Sequence, residues 1–286
     1  MRVLVTALLA LICAPLFAQA PGKAWAQELV DRTAARHPKL LAVVLHAATA
    51  GGRGPVIVAS TIGRIGTPAS DDERQVMASG APSARATSDG RRIDVTLPLL
   101  DTTGITVGIL GLSLPKSPDE TDAMAVGRAG SIRDWLARSI LNARNLLEPH
   151  PFVSGVTTKT RAQKLVDDIV ASERMDLRAV TLRGFSGGQL MVLGSTFGRH
   201  GKKGDDDDLK VLNSSEPETG LHVDGKRFNV DMSLRDATGR PIGTLTVGYA
   251  YRDGVDTKAL VGRALQSRER VLEGLGADGA LDALDL

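Results

Sequence analysis

The chain has 286 residues, a formal net charge of +2, 42% hydrophobic and 3% aromatic residues, and one cysteine. Near-neutral charge argues against bulk nucleic-acid binding, and so few aromatic side chains leave few surfaces for base stacking. The cysteine, Cys13, lies in an N-terminal apolar run, so the rest of the chain has no disulfide, thiol nucleophile or thiolate metal site.

Met1-Arg2 gives a short positive start and Val3 to Phe17 an apolar run, followed by small residues at Ala18 and Ala20. This is the pattern of a secretory signal peptide, too short for a membrane anchor. It covers residues 1–20, with a second small-x-small cleavage pattern at Ala24-Trp-Ala26 that would leave Gln27 first. No later segment has the ~18 apolar residues of a membrane helix. The mature chain is therefore expected free in the periplasm or outside the cell. About 260 residues remain, enough for two domains that each bury a core.

Those residues repeat themselves. Ala59-Ser-Thr-Ile-Gly-Arg-Ile-Gly66 returns 135 positions later as Gly194-Ser-Thr-Phe-Gly-Arg-His-Gly201. Asp89–Leu114 returns as Asp224–Tyr249 with 10 identities in 26 positions, and Ala125-Val-Gly-Arg-Ala129 as Leu260-Val-Gly-Arg-Ala264. A repeat this long means two domains, not a solenoid of units of about 20–50 residues. The first is expected over 24–147 and the second over 159–275. Residues 148–158 would link them, since Glu148-Pro-His-Pro151 cannot continue a helix. The small, acidic end, 276–286, is expected to fray.

Each copy opens with a helix, from Gln27 to His37 in the first. Leu29, Val30, Thr33 and Ala34 share one face, as do Leu165, Val166, Ile169 and Val170 in the second. A hairpin comes next, Leu40–Ala47 with Pro55–Thr61, repeated as Leu177–Arg183 with Gln189–Thr196. Asp71-Asp-Glu73 and Asp205–Asp208 head short helices, where carboxylates interact well with the helix dipole. A second hairpin pairs Arg92–Leu100 with Ile105–Leu114 through the turn Asp101-Thr-Thr-Gly104, copied as Asp236-Ala-Thr-Gly239. The two hairpins are expected to join in one antiparallel sheet of about five strands. A long helix closes each copy, at Asp119–Leu147 and Val255–Leu275; Ile132, Trp135, Leu136 and Ile140 line one side of the first.

The order helix, hairpin, short helix, hairpin, helix resembles the PAS-like periplasmic sensing modules of the Cache (PDC) family. The phrases Val56–Gly66, Asp89–Leu112 and Pro241–Tyr249 carry the likeness, and it covers almost the whole mature chain in two copies. The stretch Asn145-Leu-Leu-Glu-Pro149 is similar to the segment that trails such modules near TonB-dependent receptors. The resemblance implies an α+β chain of two tandem PAS-like (Cache-type) domains, each a five-stranded antiparallel sheet flanked by N- and C-terminal helices. It also implies a pocket for a small polar metabolite, such as a carboxylate or amino acid, and no cofactor. The known amino-acid-binding signature of aromatic, Arg and Asp residues is missing from this sequence.

Ser60, Thr61 and Arg64, repeated as Ser195, Thr196 and Arg199, are the first candidates for ligand binding. Hydroxyls and a guanidinium fork suit a carboxylate or phosphate, and the glycines between them let backbone N–H groups approach an anion. Recurrence in both copies equally fits a structural loop with its arginine paired locally. His200 lies where a pocket wall would be, although it and His46 read first as surface or loop residues. Tyr249 is a candidate lining residue, with packing between domains as its alternative. Gly184-Phe-Ser-Gly-Gly188 matches the G-x-S-x-G hydrolase pattern, but a strand comes after it where that chemistry needs a helix. Asp205–Asp208 lacks the ligand spacing of a calcium loop, and no histidine pair has zinc spacing. No catalytic or metal residue is assigned.

Two functions remain. One is a non-enzymatic, sensor-like exported protein that binds a small polar metabolite and reports to a separate partner. The other is an interaction module docking to an outer-membrane or membrane receptor without a small ligand, through a sheet edge or the Ile132–Trp135–Ile140 face.

Overall fold

The computed structural model describes residues 23–49, 51–52, 54–173, 176–223, 225–275 and 280–282. The expected signal segment lies outside them up to residue 22. The first half contains α1 (Trp25–Arg36), β1 (Ala42–Ala48), β2 (Pro55–Ser60), α2 (Asp71–Ser79), β3 (Ser83–Ala86), β4 (Arg92–Leu100), β5 (Thr106–Pro115), α3 (Asp122–Ala137) and α4 (Ala143–Leu146). The second contains α5 (Arg161–Ser172), β6 (Leu177–Ser186), β7 (Gln189–Ser195), α6 (Asp206–Asn213), β8 (Glu218–Leu221), β9 (Arg227–Arg235), β10 (Pro241–Ala250) and α7 (Thr257–Gly274). The strands form two antiparallel five-stranded sheets, ordered β2-β1-β5-β4-β3 and β7-β6-β10-β9-β8. The chain is thus α+β with one topology used twice.

Strand alternation decides which face is covered by what. Val43, Leu45 and Ala47 of β1, with Ile93, Val95, Leu97 and Leu99 of β4, point to one side and pack with Leu29 and Val30 of α1 and Ala129, Ile132 and Leu136 of α3. Period-2 alternation sends His46 to the other side, where it meets Glu73 of α2 at 3.7 Å. The second half repeats this: Val180, Leu182, Val230 and Val247 pack with Val166 and Ala264, while Arg183 faces Asp208 at 2.9 Å. Both short helices start with a capping box, Ser70 with Glu73 and Asp205 with Asp208. Both second hairpins turn on an aspartate that accepts backbone N–H groups, Asp101 from Thr103 and Ile105, Asp236 from Thr238 and Arg240.

Three expectations need correction. The long helix of the first half ends at Ala137 instead of Leu147. The Ser139 and Ile140 carbonyls are taken by the Trp25 indole N–H and the Thr102 backbone N–H, and Asn142 then caps α4 by accepting from Asn145. The face offered as a docking stripe turns inward: Ile132 and Ile140 are buried, and Trp135 packs against the core beneath the Arg36 guanidinium. Of the tail, the described residues 280–282 do not fray, because Leu281 is buried in the second core and its carbonyl accepts the Ala162 N–H.

Candidate functional site

The two copies of the Ser-Thr-x-Gly-Arg-x-Gly loop share one hydrogen-bonded frame. Gln27 on α1 accepts the Ser60 N–H, and Gln163 on α5 accepts the Ser195 N–H. The Ser60 and Ser195 hydroxyls accept from the N–H two residues on, Ile62 and Phe197. Thr61 and Thr196 accept the Val43 and Val180 N–H groups at the strand entrances. The loops close by Gly66 N–H to Ile57 O and Gly201 N–H to Val192 O. Four of the predicted ligand-binding hydroxyls thus brace their own loops.

The outer faces of the two loops differ. In the second half the loop is clasped by the first half. Arg199 forms a bidentate pair with Glu148, both bonds 2.8 Å. Asn145 donates to the Phe197 carbonyl at 3.1 Å, and Nδ1 of His150 lies 2.7 Å from the Gly198 carbonyl. The Trp25 ring lies so close over Gly198 that any side chain there would strike it. The expected linker is therefore a packed joint. His200 sits in that joint, 1% exposed, with neither ring nitrogen hydrogen-bonded among the described residues and its ring 5.5 Å from His150; this corrects the surface reading of His200, as the 2% exposure of His46 corrects that one. Burial, with the nearby His150 and Arg32, pushes His200 down to about 4. Burial works against ionising Glu28, yet its bonds to Lys23 and Arg32 hold its carboxyl at about 2. In the first half Ile62 and Ile65 are 55% and 60% exposed. Arg64 is exposed, holds φ 64°, and has no side-chain partner among the described residues.

A second asymmetry surrounds Arg128 and its counterpart Arg263, 135 positions later. Arg263 bonds Asp176 at 2.7 and 2.9 Å and Glu173 at 2.6 Å, over the Tyr249 ring at 4.5 Å. Arg263 holds the Asp176 carboxyl below its usual range. Tyr249 is fully buried in this cluster, and burial raises its phenol; it packs within its own half instead of between halves. At the matching places the first half has Leu114 for Tyr249 and Ile132 for Ser267. His37 replaces Glu173, the two being equivalent helix C-caps whose N–H groups bond Thr33 and Ile169. Lys39 replaces Asp176, each one residue before the leucine that leads into the first strand. Two carboxylates have become two bases and a tyrosine has become a leucine. A groove of about 270 Å³ opens there, floored by Leu40, Leu114 and Ile132 and rimmed by Arg36, His37, Lys39 and Arg128. Among the described residues the side chains of His37 and Lys39 have no partner. Arg128 bonds Glu120 at 2.8 Å and the Pro115 carbonyl at 3.1 Å. Neither His37 nor Lys39 stands out in the sequence; only aligning the ends of the two first helices exposes the exchange.

The remaining motifs have plain roles. Ser186 ends β6 and pairs with Gln189, the first residue of β7, across Gly187 and Gly188 at φ 57° and 77°. That is a two-residue hairpin turn, without the strand-to-helix elbow a serine nucleophile uses. Asp205–Asp208 caps α6. Among the described residues no cluster of three His, Cys, Asp or Glu could hold a metal, and no helix is long and apolar enough to cross a membrane.

No protein-family model and no curated protein matches this chain. Among solved structures, the E. coli DhaR(N)-DhaL complex is similar at 12% identity over 80% of this chain and 85% of that one, with a TM-score of 0.29. PelD 158-CT from Pseudomonas aeruginosa PAO1 is similar at 17% identity over 88% and 76%, with a TM-score of 0.30. An RNA-binding Light-Oxygen-Voltage receptor is similar at 13% identity over 82% and 99%, with a TM-score of 0.19. Likenesses this distant carry no functional weight.

Proposed function

We propose that this chain is a sensor-like binding protein of tandem Cache-like modules, and that its first half takes a small amphipathic anion in the groove beside Arg128. One observation carries this reading. Where the second half closes the equivalent place with the carboxylates of Glu173 and Asp176, the first half has His37 and Lys39 around an open apolar floor. A ligand carboxylate would stand in for the missing ones, and a short apolar body would cover Leu40, Leu114 and Ile132. Cation-rimmed apolar grooves suit such ligands because apolar contact supplies affinity and a few polar groups fix orientation. The helix, hairpin, short helix, hairpin, helix order, found in both halves, supports the Cache-like reading. Export by the Met1–Ala20 signal is part of the proposal, with a separate partner receiving the bound state.

Thermal-shift and calorimetric titration of the full chain against short- and medium-chain carboxylates, amino acids, amines and sugars tests this. A carboxylate at about 100 times its dissociation constant adds about 2.7 kcal/mol of stability. The shift should vanish in the His37→Glu/Lys39→Asp variant, which grafts the second half's carboxylates onto the groove. A panel with no carboxylate hit, or a hit indifferent to that variant, would overturn the assignment.

A further inference from the structure

The two copies of the repeated loop also reveal a docking surface. The second-half loop shows what this frame holds: a carboxylate on its arginine, a side-chain amide on the carbonyl of the residue after the threonine, and aromatic rings against the next glycine. All of these come from another unit of the molecule, Trp25 and Asn145–His150 of the first half. The first-half loop keeps the same internal bonds, so its face is rigid. It nevertheless presents Ile62 and Ile65 to solvent, together with an Arg64 that has no side-chain partner among the described residues. Two large aliphatic side chains on a braced turn beside that guanidinium form a compact anchor of the kind that interfaces bury.

We propose that Ile62–Gly66 is a protein-docking site whose occupant is a segment of another protein with the chemistry of Asn145–His150: a side-chain amide, then a glutamate at the end of a helix, then an aromatic or imidazole ring. The glutamate pairs with Arg64, the amide donates to the Ile62 carbonyl, and the ring covers Gly63 between Ile62 and Ile65. A heterologous contact of this kind places one unit ahead of the first half as the first half stands ahead of the second.

The test uses the full 15N-labelled chain and a synthetic peptide of residues 143–152, Ala-Arg-Asn-Leu-Leu-Glu-Pro-His-Pro-Phe, titrated to millimolar concentration. Saturable amide shifts at residues 62–66, weakened at least tenfold by Glu148→Gln in the peptide or Arg64→Gln in the protein, are expected. Arg64→Gly is expected to fold, because it relieves the left-handed strain at this residue; it should lose peptide binding and keep its melting temperature or gain. No shifts at 62–66, or shifts only at 195–201 from displacement of the chain's own segment, would overturn the proposal. So would a concentration-dependent dimer in sedimentation that Ile62→Ser abolishes, which would make the occupant a second copy.

Discussion

The loop at Ser60–Gly66 and the loop at Ser195–Gly201 have nearly the same sequence and the same internal bonds, and they meet opposite surroundings. One lies open with two isoleucines in solvent; the other is sealed beneath Trp25, His150 and Glu148. The differing residues match the surroundings. Ile62 becomes Phe197, Ile65 becomes His200, and the left-handed Arg64 becomes an Arg199 outside the positive-φ region. A duplicated element thus keeps its frame through local hydrogen bonds, while its role is set by whatever the other half brings to it. The Arg128 and Arg263 pair teaches the same lesson with charge: one arginine is closed over by carboxylates, and its twin borders an open basic groove.

The strongest break in this comparison is at Trp25. Trp25→Ala removes the ring that covers Gly198 and should cost about 3–5 kcal/mol, whereas Ile62→Ala in the open loop should stay within about 0.5 kcal/mol. Denaturant midpoints of the two variants check both. The same burial bears on processing. Cleavage after Ala26 would strip Trp25, so N-terminal sequencing of exported protein should find a start before residue 25. A start at Gln27 would mean that the joint forms without its tryptophan.

The next effect is on pH. His200 has a pKa of about 4 in the fold against an ordinary 6.5, so the unfolded chain binds the proton more readily. Stability should therefore rise with pH between about 4 and 6.5 and level off above, by on the order of 3 kcal/mol from this residue. His150 of the joint and Glu28 and Arg32 of the N-terminal segment are the charged and titratable groups that act on it, and His150 is lowered in the same direction. Denaturation from pH 4 to 8 measures the slope. His200→Ile, which installs the residue of the open loop, should flatten most of it.

Smaller changes sharpen the contrast. Glu148→Gln leaves the Arg199 guanidinium without its charge partner in a largely buried place and should cost about 2 kcal/mol; Arg64→Gln should cost nothing measurable in the unbound chain. A double-mutant cycle between Glu148 and Arg199 isolates the pair from its surroundings. The His37→Glu/Lys39→Asp graft should raise stability by up to about 1 kcal/mol by adding carboxylates beside Arg128, whose one acidic partner among the described residues is Glu120. A melt without ligand reads this, and a fall would mean that the two grooves are not equivalent.

Much of the fold is legible in the sequence wherever the cause is local. Ser70 three residues before Glu73 specifies a helix start by itself, and Asp101 specifies a turn, because the bonding partners lie within four residues. Alternation along Arg92–Leu100 sorts the side chains between two faces. The long helix reads too long in the sequence because its apolar pattern continues past Ala137, while the Ser139 and Ile140 carbonyls are claimed by Trp25 and Thr102. Position in a loop gives the surface reading of His200, and the burial comes from a segment some fifty residues earlier. The site residues divide in the same way. The repeated Ser and Thr are conspicuous as chemistry but act as braces, while His37 and Lys39 are inconspicuous because their meaning lies in what they replace.

That one unit is written twice, the order of its elements, their caps and turns, and which strand residues share a face all follow from the residues in line. These rest on spacings of two to four residues and on phrases that return 135 positions later. Which copy of the loop is covered, and which arginine keeps open space beside it, is settled by packing. Those outcomes depend on how Trp25 and the Asn145–His150 segment pack against the second half. Such packing joins residues 48 to 173 positions apart, and it is fixed by the fit of two folded surfaces, which no local pattern encodes.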